Sequence, residues 1–173
     1  TVEAYRRLAQ LVPYPLHLGI TEAGTAKAGS IRSSVGLGYL LYEGIGDTIR
    51  VSLSADSKEE IQAGYEILKS LNMREKGTTL VACPSCGRAD IDVITLANTV
   101  DDLLQKKNYN VKVAVMGCEV NGPGEAKDAD VGIAAGVGRA VIFRKGKKSR
   151  VVAEEDMLTA LMEEIELVAS QKP

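Results

Sequence analysis

The sequence predicts an α/β fold in two consecutive regions. Strand-like and helix-like segments alternate through residues 1–75, and a strand, a helix and another strand open the region that follows. This alternation is typical of parallel strands joined by helices, as in part of a β/α barrel or part of an open sheet. With 173 residues, of which 45% are hydrophobic, the chain can form one ordinary domain or two small ones.

The first region reads helix, strand, helix, strand, helix. Apolar spacing predicts a helix over residues 2–12, a buried strand over 16–21 and a helix over 31–42 that Gly44 and Gly46 end. Residues 48–53 are strand-like, and Asp56 begins another helix. Two strands cannot close a barrel. Because helical spacing starts at once, without a start methionine or a leader, we expect the chain to begin inside a longer protein.

The pattern of the second region predicts a small α/β domain. Its elements are a strand at 78–82, a helix at 93–104, a strand at 111–116, a glycine-rich loop at 119–130, a hairpin of 131–135 and 140–144, an edge strand at 150–153 and an acidic amphipathic helix at 154–170. We therefore divide the chain into domains 1–76 and 77–173.

Charge and cysteine content exclude several classes of protein. The formal net charge is −2 and the signs are interspersed, which excludes a broad basic surface for nucleic acid. No run approaches the about 18 apolar residues of a membrane span. Three cysteines are too few for a disulfide scaffold, so a reducing, cytoplasmic setting is expected.

The three cysteines form a candidate site. Cys83 and Cys86 make a Cys-x-x-Cys turn directly after one predicted strand, and Cys118 directly follows another. Groups that leave the carboxyl ends of parallel strands converge at one edge of a sheet. Glycines around these positions allow backbone N–H groups to approach a sulfur cluster.

Four interpretations of these cysteines stay open at this point. They are a thioredoxin-like redox pair, a structural zinc site, three unconnected buried thiols, and iron–sulfur ligation by three cysteines with a fourth, non-cysteine ligand. Glu125 is the candidate for that ligand because it shares the loop of Cys118. A solvated loop carboxylate is the alternative interpretation of Glu125.

Four segments together resemble the C-terminal half of the 4-hydroxy-3-methylbut-2-enyl diphosphate synthase family, also called IspG or GcpE. They are PLHLGITEAG (15–24), SSVGLGYLLYEGIGDTIRVSL (33–53), ACPSCGR (82–88) and MGCEVNGPGEA (116–126). The resemblance implies the last part of a TIM-type β/α barrel, followed by a small iron–sulfur domain resembling those of sulfite and nitrite reductases.

The resemblance also implies a reaction and a cofactor. Members reductively open and dehydroxylate 2-C-methyl-D-erythritol 2,4-cyclodiphosphate to 4-hydroxy-3-methylbut-2-enyl diphosphate, in the non-mevalonate route to isoprenoids. By the match of motifs, Cys83, Cys86 and Cys118 are ligands of a 4Fe-4S cluster, and Glu125 is the carboxylate ligand of its fourth iron. An iron–sulfur electron-transfer module and a zinc-stabilised binding domain remain the alternatives from other functional classes.

Further positions follow from the barrel half of the resemblance. Glu22 corresponds to a glutamate beside the substrate, with a role in proton transfer, and Arg50 and Ser52 correspond to a diphosphate-binding pair. Arg50 and Ser52 alternate along one predicted strand and therefore share a face. His17 is as well explained by a packed neutral imidazole as by a substrate contact.

The resemblance implies partners as well. Flavodoxin or ferredoxin would donate electrons, since the chain lacks the GxGxxG fingerprint of nicotinamide binding. The family forms homodimers in which the cluster domain of one subunit closes over the barrel of the other. Because only two of the eight barrel strands are present, we expect this chain alone to be inactive.

Overall fold

The computed structural model describes residues 1–21, 23–74, 77–107, 109–118, 124 and 126–171. Its contacts divide the chain into two compact units, Thr1–Glu75 and Lys76–Pro173. Within the described residues, no helix is both long enough and apolar enough to cross a membrane.

The first unit has the predicted alternation of helices and strands. Its elements are α1 (Val2–Leu11), β1 (His17–Ile20), α2 (Ala26–Tyr42), β2 (Thr48–Val51) and α3 (Ser57–Ser70). The two strands pair in parallel, with Leu18 opposite Ile49, as predicted. Helix α2 begins earlier than its apolar spacing indicates, because alanine favours a helix without adding to an apolar stripe.

One face of this two-stranded sheet packs against the helices. Leu18 of β1 and Val51 of β2 are buried with Leu37 and Leu40 of α2 and with Ile67 of α3. Side chains alternate between the two faces of a strand. The residues that alternate with Leu18 along β1, and with Val51 along β2, therefore belong to the opposite face. That opposite face carries the candidate site of the first unit.

The second unit is a five-stranded sheet with two helices. Its elements are β3 (Thr79–Ala82), α4 (Val93–Lys106), β4 (Lys112–Met116), β5 (Val131–Gly136), β6 (Arg139–Arg144), β7 (Lys147–Ala153), a short 3-10 helix (Glu154–Asp156) and α5 (Met157–Ser170). The strand order is β3-β4-β5-β6-β7. Strands β3, β4 and β5 are parallel, whereas β6 and β7 are antiparallel to their neighbours.

The two faces of this sheet are covered differently. Valine and isoleucine side chains such as Val113 and Ile133 pack with α4 and α5 on one face. The opposite face carries two alanines together with Met116 and Phe143, and it is covered by Ala126 and Ala129 from the segment that follows the cysteine loop. A Cβ atom placed on Gly132 would lie 3.0 Å from the Cβ of Ala126, so this segment packs closely on the sheet.

Two boundaries in the second unit differ most from the predicted ones. Strand β7 begins at Lys147 rather than at residue 150, because pairing with β6 extends a polar segment that has no apolar alternation of its own. The final helix starts with a 3-10 helix before α5. Short 3-10 helices are common at the ends of α-helices.

Asp92, at the N-terminus of α4, supports a prediction about how the stability of the fold depends on pH. Hydrogen bonds from the Thr95 hydroxyl and backbone N–H hold the pKa of Asp92 below its ordinary value of 3.8. A carboxylate with a depressed pKa stabilises the fold above the unfolded-state pKa, and this contribution is lost as the pH falls through the folded-state pKa. Asparagine retains the N-cap acceptor but does not ionise.

We therefore expect Asp92→Asn to lower the free energy of unfolding at neutral pH but not in strong acid. Urea unfolding of the wild type and the variant, repeated at several pH values down to about 2, measures the difference. A difference in unfolding free energy that stays constant across this range would show that the Asp92 charge contributes nothing.

Candidate functional site

The sheet face of the first unit that points away from the helical core is polar. In the register of the two strands, His17 lies opposite Thr48 and Gly19 lies opposite Arg50. None of these four residues belongs to the hydrophobic cluster that packs the other face. Interior positions of a β/α barrel are usually filled by bulky branched residues, so a polar face here indicates a binding surface.

Arg50 reaches across this face toward the carboxyl end of β1. Its Nη2 atom donates a hydrogen bond to the hydroxyl of Thr21 over 3.2 Å. The guanidinium passes over Gly19, where a Cβ atom would lie 2.9 Å from Nη2. The Arg50 side chain is therefore held beside the residue that directly precedes Glu22 in the sequence.

Of the two other site residues predicted in the first unit, the structure describes Ser52 but not Glu22. Ser52 is half-buried and lies one residue beyond the end of β2, so it follows this strand rather than belonging to it as predicted. Glu22 lies outside the described residues. The role of each as a substrate-binding or catalytic residue stays a prediction.

Two hydrogen bonds anchor the segment that follows position 22. The carbonyl of Ala23, a buried residue, accepts a hydrogen bond from Arg32 over 2.7 Å. The carbonyl of Gly24 accepts another from the backbone N–H of Ser54 over 2.8 Å. These contacts tie the segment after β1 to α2 and to the segment after β2.

His17 is exposed on the polar face, with its Nδ1 atom 2.7 Å from the Thr48 hydroxyl. Both interpretations of this residue, a packed neutral imidazole and a substrate contact, stay predictions. Sequence reasoning missed Gly19, Thr21 and Thr48 as members of this face. The available signal was the alternation of polar residues and glycine with apolar ones along both strands.

A second candidate site, within the second unit, lies where β3 and β4 end. Cys83 directly follows β3, and Cys118 follows β4 by two residues. The backbone N–H of Gly117 donates to the sulfur of Cys83 over 3.2 Å, and the N–H of Cys83 donates to the carbonyl of Val115 over 3.1 Å. The predicted convergence of these two strand ends is confirmed.

The Cys-x-x-Cys turn folds back onto the same strand end. The N–H of Asp90 donates to the carbonyl of Gly117 over 2.8 Å, and the N–H of Ala89 donates to the carbonyl of Cys86 over 3.0 Å. A Cβ atom on Gly117 would lie 3.1 Å from the Cβ of Val93. Glycine at position 117 thus allows β4, the turn and the start of α4 to approach each other closely.

The three thiols differ in exposure: Cys118 is buried, Cys83 is half-buried and Cys86 is exposed. Among the described side chains, no three form a group able to hold a metal ion. Glu125, the predicted fourth ligand, lies outside those residues. The donor set nevertheless suits an iron–sulfur cluster, because free thiols lie at one sheet edge with a backbone N–H directed at a sulfur.

Comparisons with known proteins agree with this two-part organisation. Residues 1–65 match the GcpE TIM-barrel domain, and residues 79–167 match the GcpE protein C-terminal domain. A curated relative from Dehalococcoides mccartyi is 58% identical over 165 residues, which cover 95% of this chain and 47% of the relative. A relative from Geobacter sulfurreducens is 55% identical over 172 residues, covering 99% of this chain and 49% of the relative.

Both relatives are named 4-hydroxy-3-methylbut-2-en-1-yl diphosphate synthase (flavodoxin). The chain spans about half the length of the curated relatives it matches. The two family models together match most of its residues, in the order barrel domain and then C-terminal domain. The chain therefore belongs to the GcpE family.

Proposed function

We propose that this chain is the C-terminal part of a 4-hydroxy-3-methylbut-2-enyl diphosphate synthase. The observation that carries the proposal is the meeting of the Cys83 and Cys118 strand ends, with the N–H of Gly117 directed at the Cys83 sulfur. The names of the relatives support the product, 4-hydroxy-3-methylbut-2-en-1-yl diphosphate. The family resemblance implies the substrate, 2-C-methyl-D-erythritol 2,4-cyclodiphosphate, and its reductive conversion to this linear diphosphate.

Cys83, Cys86 and Cys118 would hold a 4Fe-4S cluster, with Glu125 as the fourth ligand. Such a cluster supplies single electrons, and an iron held by a carboxylate supplies Lewis acidity as well. Three thiolates cannot ligate four irons, which is the chemical reason for an odd number of cysteines. The N–H of Gly117 donates to the Cys83 sulfur, and hydrogen bonds of this kind surround the sulfurs of iron–sulfur clusters.

The polar face of the first unit would bind the substrate. The Arg50 guanidinium carries donors suited to a diphosphate oxygen, and Ser52 adds a hydroxyl donor. Glu22, which directly follows Thr21 in the sequence, would have the role in proton transfer that the family resemblance implies. The reaction takes up two electrons while the ring C–O bond opens, and the hydroxyl oxygen leaves as water after protonation.

The remaining assignments extend this proposal. Flavodoxin, which the names of the relatives specify, or ferredoxin would supply the electrons. The complete protein would act as a cytoplasmic homodimer, as the family resemblance implies. Three free cysteines accord with a reducing compartment. The second domain would be an iron–sulfur domain like those of sulfite and nitrite reductases, and the first would be the last part of a β/α barrel, as the family resemblance implies.

Anaerobic reconstitution with iron and sulfide, followed by quantitative iron, sulfide and zinc analysis, tests the cofactor. We expect about four irons and about four sulfides per chain, as in a 4Fe-4S cluster. Binding of one zinc without sulfide would contradict the proposal and support a zinc-stabilised domain. Iron uptake that persists after all three cysteines are replaced would also contradict it.

A further inference from the structure

We propose that Gly19 and Thr21 are positioning residues that hold the Arg50 guanidinium where it binds a phosphate group. The anionic ligand rests on the proposed function, in which Arg50 contacts a diphosphate. The positioning of Arg50 itself rests on the contacts of this side chain with β1.

The first step concerns the space above Gly19. A Cβ atom at this position would lie 2.9 Å from Nη2, 3.2 Å from Cζ and 3.2 Å from Nε of Arg50. Because three guanidinium atoms are nearly equidistant from that point, the planar group lies across Gly19. Any side chain at position 19 would occupy the space that the guanidinium uses.

The second step separates this role from backbone conformation. Gly19 lies within β1 and does not have a positive φ angle, so its backbone does not require glycine. Glycine in a strand normally weakens the strand and often marks close approach of another group. Arg50 is exposed and does not belong to the core, so alanine at position 19 displaces the guanidinium rather than the core.

The third step concerns Thr21. Its hydroxyl accepts a hydrogen bond from Nη2 and so turns the guanidinium toward the carboxyl end of β1. This is the end at which β/α proteins place their ligands. Arginine has five N–H donors, and within the described part of the chain Thr21 is the hydrogen-bonding partner that the structure records for Arg50. Donors thus remain for an anion.

The test is nuclear magnetic resonance of the arginine Nε–Hε groups of the whole 173-residue chain, titrated with inorganic pyrophosphate. Arg50→Lys identifies the Arg50 resonance by its disappearance. We expect pyrophosphate to shift this resonance in the wild type. In Gly19→Ala we expect the resonance to move before any ligand is added and the pyrophosphate affinity to fall about tenfold, the effect of losing one charge-assisted contact.

Two matched pairs of variants separate positioning from folding. Gly38→Ala is the control for Gly19→Ala, because a Cβ atom at position 38 would meet nothing within 4 Å. Thr21→Val should weaken pyrophosphate binding, whereas Thr21→Ser, which retains the hydroxyl, should restore it. All four variants should keep the wild-type far-ultraviolet circular dichroism spectrum.

Three outcomes would overturn the inference. They are unchanged pyrophosphate binding in Gly19→Ala, equal binding by Thr21→Val and Thr21→Ser, and an Arg50 resonance that does not respond to pyrophosphate in the wild type. None of these measurements needs iron or sulfide. A failure of cluster assembly would therefore count against the proposed function and leave the positioning of Arg50 intact.

Discussion

Replacing Cys118 with alanine is expected to abolish assembly of a 4Fe-4S cluster. Cys118 is 8% exposed at the end of β4, beside the Gly117 N–H that contacts the Cys83 sulfur. Alanine removes the thiolate but keeps most of the side-chain volume, so the second unit should still fold. Iron and sulfide analysis after anaerobic reconstitution should fall from about four of each per chain to nearly none.

Glu125→Ala is the matched comparison, because it changes the predicted fourth ligand and leaves all three thiolates in place. We expect this variant to assemble a cluster that loses iron faster in air than the wild type, since carboxylates bind iron more weakly than thiolates do. If Cys118→Ala retained a full complement of iron and sulfide, the assignment of the ligands would be wrong. Complete failure of Glu125→Ala to assemble would show that its carboxylate is not an exchangeable ligand.

Gly46→Ala is expected to destabilise the first unit more than other glycine substitutions there. Gly46 has a φ of +112°, and a Cβ atom would lie 2.4 Å from Cδ1 of Leu18. Leu18 is fully buried, so it cannot move aside as an exposed side chain would. Backbone strain and overpacking, each of about 1–3 kcal/mol, should together lower the free energy of unfolding by about 2–6 kcal/mol.

Alanine substitutions at two further glycines separate the contribution of backbone strain from that of overpacking. Gly44 has a φ of +77° with nothing within 4 Å of its Cβ position, so Gly44→Ala should cost only the backbone strain, about 1–3 kcal/mol. Gly38 lies inside α2 in open space, so Gly38→Ala should stabilise the unit by about 0.5–1 kcal/mol.

Urea unfolding measured by tyrosine fluorescence suits this series. Five of the six tyrosines belong to the first unit: Tyr5, Tyr14, Tyr39, Tyr42 and Tyr65. Equal losses of stability in Gly46→Ala and Gly44→Ala would show that the contact with Leu18 costs nothing. Such a result would attribute the whole loss of stability in Gly46→Ala to backbone strain.

Local patterns in the sequence were enough to predict most of the fold. Apolar spacing predicted α4, and β-branched runs predicted β4 and β5. Such predictions are possible because apolar residues recur at a different period in helices and in strands, among residues close together in the sequence. The turn between α2 and β2 was predicted from Gly44 and Gly46, both of which have positive φ angles. Parallel pairing of β1 with β2 followed from the helix between them.

The cysteine site was predictable to the level of the sheet edge. Cys83 and Cys118 each follow a strand in the sequence, and parallel strands bring such positions together. The different exposure of Cys86 depends on how the turn after Cys83 folds onto Gly117, which no spacing of residues encodes. The role of Glu125 came from the family resemblance and stays a prediction.

By itself, then, the sequence determined the order of the elements, the glycine turns and the cysteine-bearing strand ends, because each depends on residues close together in the chain. Only the tertiary structure decided that Arg50 lies over Gly19 and reaches Thr21, and that Ala126 packs on Gly132. Those contacts depend on strand register and on which chain segments cross a sheet face. Both are set by the packing of residues that are far apart in the sequence.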